Sequence, residues 1–287
     1  ELGSRLFTAI TGLDEYYLTR TEAAILHTHA AEIGAAVGPG RCTLIDLGAG
    51  DCEKAAGLFR TLRPAQYAAV DISADYLRQS LQRLRARFPE LPMVGVEADF
   101  SGALVLPAEV SRRARLFFYP GSSIGNFRPD QACGFLAGLR AQLDSDGGLL
   151  IGVDLVKDPR MLEAAYDDAL GVTAAFNLNV LNVVNRTLGA SFDATAFRHR
   201  AVFNAEASRI EMHLVSQHAQ AIALGTGQVL RLQASEHIVT EHSYKHAPAR
   251  AEQLLRGAGF DQLQRFGIDG EAYGVYLARI GHAESER

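Results

Sequence analysis

Between positions 43 and 155 the chain alternates short apolar runs with longer stretches whose apolar residues recur every three or four positions. The short runs at 43–47, 67–72, 93–96, 115–119 and 149–155 predict strands. The longer stretches at 51–62, 74–88 and 129–143 predict helices. Ahead of them, Ala24, Ile25, Ile33 and Val37 share one helical face, so 18–37 reads as a helix leading into the sheet. Asp144-Ser145-Asp146-Gly147-Gly148 is a turn before the fifth strand. Repeated strand–helix alternation predicts a mainly parallel sheet covered by helices on both faces.

The pattern then changes. Positions 160–188 are nearly all helical, with Asn177, Asn179, Asn182 and Asn185 recurring through them. From 198 to 241 the period falls close to two, with turns at 204–208 and 225–227, as antiparallel strands require. A helix returns at 245–258, and 259–280 supplies two last strands. The expected fold class is α/β: a Rossmann-like, doubly wound domain over 20–156 and 245–287, interrupted by a mixed α/β insertion. The insertion, 157–244, joins 1–19 in a second domain. It is expected to lie over the carboxyl ends of the parallel strands and close a site there.

The chain has 287 residues, 48% of them apolar, ample for a core. A net charge of −5 argues against a nucleic-acid partner, which needs a basic face. No apolar run reaches the roughly 18 residues of a membrane helix, and no signal peptide is visible at Glu1. The abrupt opening, ELGSRLF, is read as the remainder of a longer chain. Cys42, Cys52 and Cys133 are widely spaced and match no zinc pattern, so they read as reduced thiols of a cytoplasmic protein. The closest histidine pairs, His27/His29 and His242/His246, lack a clustered carboxylate or cysteine. No metal is expected.

The first strand runs straight into Gly48-Ala49-Gly50, then a helix, then a strand ending at Asp71. That order is a nucleotide-cofactor cradle. A dinucleotide loop favours a third glycine, but Asp51-Cys52 follows here. A GxG loop with acids at Asp71 and Asp99 better fits S-adenosylmethionine, which has no pyrophosphate to hold. Gly48 and Gly50 let the backbone approach the ligand. Asp71 would accept from ribose hydroxyls. Asp99 could accept from the adenine amine, and the Phe100 ring could pack on the base. The turn after the fourth strand runs from Tyr119 through Gly121 to Asn126. Its Asn126 amide both donates and accepts, which suits the amine and carboxylate of an amino acid. Tyr16-Tyr17, Tyr166 and Thr240-Glu241-His242-Ser243 are pocket candidates by placement alone. Packing and solvation remain the simpler readings for each.

These segments together resemble the histidine Nα-methyltransferases of ergothioneine biosynthesis. The matching stretches are GSRLFTAITGLDEYYLTRTEAAIL, IDLGAGDCEK, GSSIGN, DLVKDPRMLEAAYDDALGVTAAFNLNVLNVVNR, SRIEMHL and TEHSYKHAP, spread over nearly the whole chain. The resemblance implies S-adenosylmethionine held near Gly48, Gly50, Lys54, Asp71, Asp99 and Phe100, with S-adenosylhomocysteine as product. It implies L-histidine in a pocket between the domains. By the family pattern, Asn126 and Tyr166 hold the amine and carboxylate end, beside Gly121. Tyr16, Glu241 and Ser243 face the imidazole, and Thr173 and Met212 line the site. A glutamate with a serine can bond both ring nitrogens. An indole or phenyl ring would leave that carboxylate buried and unpaired.

The family carries a segment ahead of this start, with an aromatic motif ending in a tyrosine near the substrate amine. Ala49 and Asp51-Cys52 are loop variants, expected to tune cofactor contacts. The expected reaction is three methyl transfers onto the histidine α-nitrogen, giving hercynine, by a cytoplasmic monomer without catalytic nucleophile. Alternatives are an N-methyltransferase of another amino acid or small amine, a non-catalytic cofactor-binding module, and a nicotinamide oxidoreductase. The missing third glycine and the absence of Tyr-x-x-x-Lys on a core helix count against the last.

Overall fold

A computed structural model describes residues 2–38, 40–99, 102, 104–268 and 272–281. In chain order it runs α1 (Leu2–Ile10), α2 (Tyr17–Thr28), α3 (Ala30–Val37), β1 (Thr43–Leu47), α4 (Glu53–Leu62), β2 (Gln66–Asp71), α5 (Ala74–Arg87), β3 (Met93–Glu97) and β4 (Arg115–Tyr119). Then come α6 (Pro129–Arg140), β5 (Gly148–Asp154), α7 (Pro159–Tyr166), α8 (Val172–Leu188), β6 (Phe197–Asn204) and β7 (Arg209–Ser216). The remainder is β8 (Gln220–Ala223), β9 (Val229–Leu232), β10 (His237–Tyr244), α9 (Pro248–Gly257), β11 (Gln262–Phe266) and β12 (Tyr273–Arg279). The chain divides into two compact units, Glu1–Thr19 with Val156–Lys245, and Arg20–Leu155 with His246–Arg287.

The larger unit holds a seven-stranded sheet in the order β3-β2-β1-β4-β5-β12-β11. The first five of these are parallel, and β12 runs antiparallel between β5 and β11. β1, β4 and β5 are buried along their whole length, as strands covered on both faces must be. Ile45, Phe117, Leu149, Ile151 and Leu136 form the centre of that core. Each such side chain contributes about 1.5–3 kcal/mol by leaving water. The chain winds outward from β1 to β3 and then returns to β4 on the other side. The strand order therefore reverses between β1 and β4, and ligands bind at the carboxyl ends beside such a reversal.

The smaller unit is built on the antiparallel sheet β10-β7-β6 and the hairpin β8-β9. Helices α7 and α8 pack on β6 and β7, and α1 packs on α8. Leu181, Phe197, Leu214 and Ile222 form its apolar centre.

Three predicted helices differ from the observed ones. The stretch 18–37 breaks into α2 and α3 at His29, whose backbone leaves helical geometry. Its ring is bonded to Glu32 Oε1 and to the Gly267 carbonyl, both at 2.9 Å. The stretch 160–188 breaks at 167–171. There Asp168 accepts the N–H groups of Val172 and Thr173, and Gly171 takes a positive φ. That caps the start of α8 and ends α7. The helix predicted from 245 begins only at Pro248, a ring suited to a first helical position. Lys245 and His246 remain non-helical. Helix α1 is not among the predicted elements.

Candidate active site

In the larger unit, β1 ends in a loop whose backbone takes positive φ at Gly48, Gly50 and Cys52. At the first two positions glycine adopts this conformation without strain. The Asp71 carboxylate, at the end of β2, accepts the Gly50 N–H and the Ser73 N–H, both at 2.9 Å. One carboxylate thus ties the loop to the neighbouring strand with acceptor capacity to spare. Below the loop Asp46 is buried within β1. Its Oδ2 accepts from the Tyr67 hydroxyl at 2.8 Å, while its Oδ1 has no hydrogen bond. Burial raises the Asp46 carboxyl to about 7, against the Tyr67 hydrogen bond and the Lys54 charge. Burial also pushes the Cys52 thiol up to about 12, so it is no nucleophile. Asp99 stands exposed just past β3, and Phe100 lies outside the described residues.

The turn after β4 winds through Gly121 (φ +76) and Ser122 (φ +58) into a short 3-10 helix ending at Asn126. Asn126 is exposed. Ser122 Oγ accepts the Asp154 N–H at 2.9 Å, fixing this turn to the end of β5. The Gly121 N–H points to Glu22 Oε1 at 2.9 Å. Glu22 is buried, and its Oε2 accepts from Lys54 Nζ at 2.7 Å.

The smaller unit assembles a second polar cluster. The two-residue period of β10 puts Glu241 and Ser243 on one face, with Lys245 next in line. Glu241 lies opposite Met212 of β7, just after a bulge at Thr240. The Thr240 hydroxyl, at 2.6 Å from Asn177 Oδ1, anchors that bulge. Ser243 Oγ and the Tyr166 hydroxyl are 2.8 Å apart, and Lys245 Nζ donates to both at 2.9 Å. Tyr166 also packs edge-on against Tyr16, with ring centroids 6.1 Å apart. The Asn177 amide donates to His199 Nδ1, so His199 Nε2 carries the proton it donates to the Tyr166 carbonyl at 2.8 Å. Burial raises the Glu241 carboxyl, and the Lys245 charge works the other way. Burial also opposes ionisation of Asp168, but the N–H groups of Thr173 and Val172 hold its carboxyl below the usual range.

Gly48, Gly50, Lys54 and Asp71 therefore gather at one end of the parallel sheet, on the side where the strand order reverses. Tyr16, Tyr166 and Ser243 gather in the smaller unit, with Met212 opposite Glu241. Sequence reasoning missed Glu22, Asp46 and Lys245. The signals were lone charges in apolar surroundings: Asp46 inside TLIDL and Glu22 before AAIL. Among the described residues no group of three histidine, cysteine, aspartate or glutamate side chains could hold a metal. No helix among them is long and apolar enough to cross a membrane.

The family described as histidine-specific methyltransferase, SAM-dependent, matches residues 1–280. The chain belongs to this family. A relative from Mycolicibacterium smegmatis, histidine N-alpha-methyltransferase, is 41% identical over 96% of this chain and 87% of its own length. Ergothioneine biosynthesis protein 1 of Neurospora crassa is 30% identical over 96% of this chain, which matches 32% of that longer protein. Among solved structures, an S-adenosylmethionine-dependent methyltransferase from Clostridium acetobutylicum superposes with a TM-score of 0.53 at 12% identity, covering 98% of this chain and 97% of that one. That likeness shows a Rossmann-like methyltransferase fold. The histidine-specific family is S-adenosylmethionine-dependent.

Proposed function

We propose that the protein transfers methyl groups from S-adenosylmethionine to the α-amino nitrogen of L-histidine, giving the trimethylated betaine hercynine, a step of ergothioneine biosynthesis. The observation that carries the reading is the side-by-side placement of Glu241 and Ser243 on β10, opposite Met212, in a chain of the histidine-specific family. A carboxylate can accept from one imidazole nitrogen, and a hydroxyl can donate to or accept from the other.

The cradle fits the cofactor on its own geometry. Gly48 and Gly50 carry no Cβ at positive φ, Asp71 keeps unused lone pairs, and Asp46 Oδ1 is a buried acceptor without a partner. In this reading Gly48, Gly50, Lys54, Asp71, Asp99 and Phe100 hold the cofactor. Asn126, Tyr166 and Gly121 take the amine and carboxylate of histidine. Tyr16, Glu241 and Ser243 take the imidazole, with Thr173 and Met212 as walls. The smaller unit then supplies most of the substrate contacts, and the larger unit supplies the cofactor contacts together with Gly121 and Asn126.

When bound, S-adenosylmethionine supplies a methyl carbon made electrophilic by its sulfonium. The protein's work is alignment of the attacking nitrogen with that carbon and sulfur. A nitrogen–carbon bond would form as the carbon–sulfur bond breaks, S-adenosylhomocysteine would leave, and water would take the amine proton. The dimethylated nitrogen that enters the third transfer offers no spare N–H once deprotonated. The carboxylate and imidazole anchors must therefore hold the substrate. The same reading takes the protein as a monomer in the cytoplasm; the location alone draws support from three free cysteines, which suit a reducing compartment.

Mass spectrometry of L-histidine incubated with S-adenosylmethionine and the protein tests the reading. Gains of one, two and three methyl groups on the α-nitrogen are expected. Cofactor binding without any methylated histidine overturns it and directs the search to other amines.

A further inference from the structure

Glu22 is a buried carboxylate on α2 that meets three donors. Lys54 Nζ lies 2.7 Å from its Oε2, the Gly121 N–H 2.9 Å from its Oε1, and the Tyr273 hydroxyl 2.8 Å from the same Oε1. Its side chain is 1% exposed, whereas that of Lys54 is 30% exposed. Room for the carboxylate comes from Gly152 on β5, where a Cβ would collide with Glu22 Oε1 and the Tyr273 hydroxyl.

These partners are placed in a telling way. Lys54 lies in the first turn of α4, which follows β1, and Gly121 begins the turn that follows β4. β1 and β4 are the two strands between which the sheet order reverses. Glu22 therefore joins the two loops that flank the ligand-binding end of the sheet. An ammonium has three donors. A lysine stem has four rotatable bonds, so an unheld ammonium samples many positions, and a charge-assisted bond to a rigid acceptor removes that freedom. The acceptor is rigid because a backbone amide and a buried tyrosine fix it.

The geometry points to Glu22 as a positioning residue: held by Gly121 and Tyr273, its carboxylate orients the Lys54 ammonium to receive the carboxylate of the cofactor's amino-acid end. This rests on the reading of Lys54 as a cofactor ligand. Glu22 acts through Lys54 and touches neither substrate nor reacting atoms.

The test is calorimetric binding of S-adenosylhomocysteine to the whole protein and to Glu22→Gln, Lys54→Met and the double variant, with melting curves for each. Glutamine still offers the Gly121 N–H an oxygen, so Glu22→Gln isolates the charge. Lys54→Met and Glu22→Gln are each expected to weaken binding about tenfold, the equivalent of one charge-assisted hydrogen bond. The double variant is expected to bind no more than about twofold worse than Lys54→Met, because coupled residues do not add. If Glu22→Gln does not fold, Glu22→Asp replaces it, keeping the charge but losing the reach. Wild-type affinity in Glu22→Gln beside weakened Lys54→Met overturns the positioning role alone, as do fully additive losses. Wild-type affinity in Lys54→Met overturns the reading of Lys54 and the inference with it.

Discussion

Lys245 donates from Nζ to the Tyr166 hydroxyl at 2.9 Å while lying 4.6 Å from the centre of the same ring. Ser243 Oγ receives a second donor from the same ammonium at 2.9 Å. Both hydroxyl oxygens are therefore acceptors toward Lys245, and their hydrogens are directed away from it. A buried cation thereby sets the orientation of two candidate substrate contacts at once.

Replacing Lys245 by methionine keeps the volume and removes both donors. The hydroxyls still bond each other, so the expected loss of stability is about 1–2 kcal/mol, measured by urea unfolding. The Lys245 charge lowers the Glu241 carboxyl, so without it that carboxyl rises further. The pH dependence of histidine binding is expected to move to higher pH in the variant. An unmoved profile would show that Lys245 does not control Glu241.

Asn126→Ala and Glu241→Ala are expected to weaken histidine binding by about 1–3 kcal/mol each, since under the proposed function each would remove a hydrogen-bonding partner of the substrate. Cofactor affinity, measured in parallel by calorimetry, is expected to change little. Glu241→Ala should also narrow the discrimination against phenyl and indole side chains, because the penalty of an unpaired carboxylate is gone. Unchanged histidine affinity in both variants would sink the assignment of these two residues.

The parallel core was legible because its signals are local. TLIDL, YAAV, RLFFY and GLLIGV are short, mostly apolar runs, and the helices between them keep one apolar face. The loop was legible for the same reason, since Gly48, Gly50 and Asp71 follow strands in order. The breaks at His29 and Asp168 were not, because each rests on side-chain bonds: His29 to Gly267, far along the chain, and Asp168 to the amides that open α8. Glu22 and Lys245 were missed for a related reason. Periodicity gives a residue's face, but not whether a charge on that face meets its partners. Gly121 and Tyr273 stand far from Glu22 in sequence, and only the folded sheet brings them to one carboxylate.

Gly152 gives a direct check on that packing. A methyl group there would overlap the Glu22 carboxylate and the Tyr273 hydroxyl, and a fully buried strand has no slack to absorb it. Gly152→Ala is expected to destabilise the protein by about 1–3 kcal/mol, the usual cost of overpacking. Because the displaced group is Glu22, cofactor affinity should fall as well. Glycine-to-alanine at exposed Gly102, where a Cβ meets nothing within 4 Å, is expected to leave both unchanged. Equal melting temperatures for Gly152→Ala and the parent protein would contradict the packing.

Asp46 predicts a pH signature. Its carboxyl is raised by burial to about 7, well above the roughly 3.9 of an unfolded aspartate. A raised acid contributes its stability below the unfolded value and loses it as pH rises through the folded one. Wild-type stability relative to Asp46→Asn is therefore expected to decline between about pH 4 and 7, by a few kcal/mol at most. Binding a cation at the loop opposes protonation of the same carboxyl. S-adenosylmethionine should thus bind with release of a proton near pH 6.5, seen as a binding enthalpy that varies with the ionisation enthalpy of the buffer. Asp46→Asn should bind with no such variation at that pH. A wild-type enthalpy that is the same in every buffer would show that Asp46 does not change its protonation when the cofactor binds.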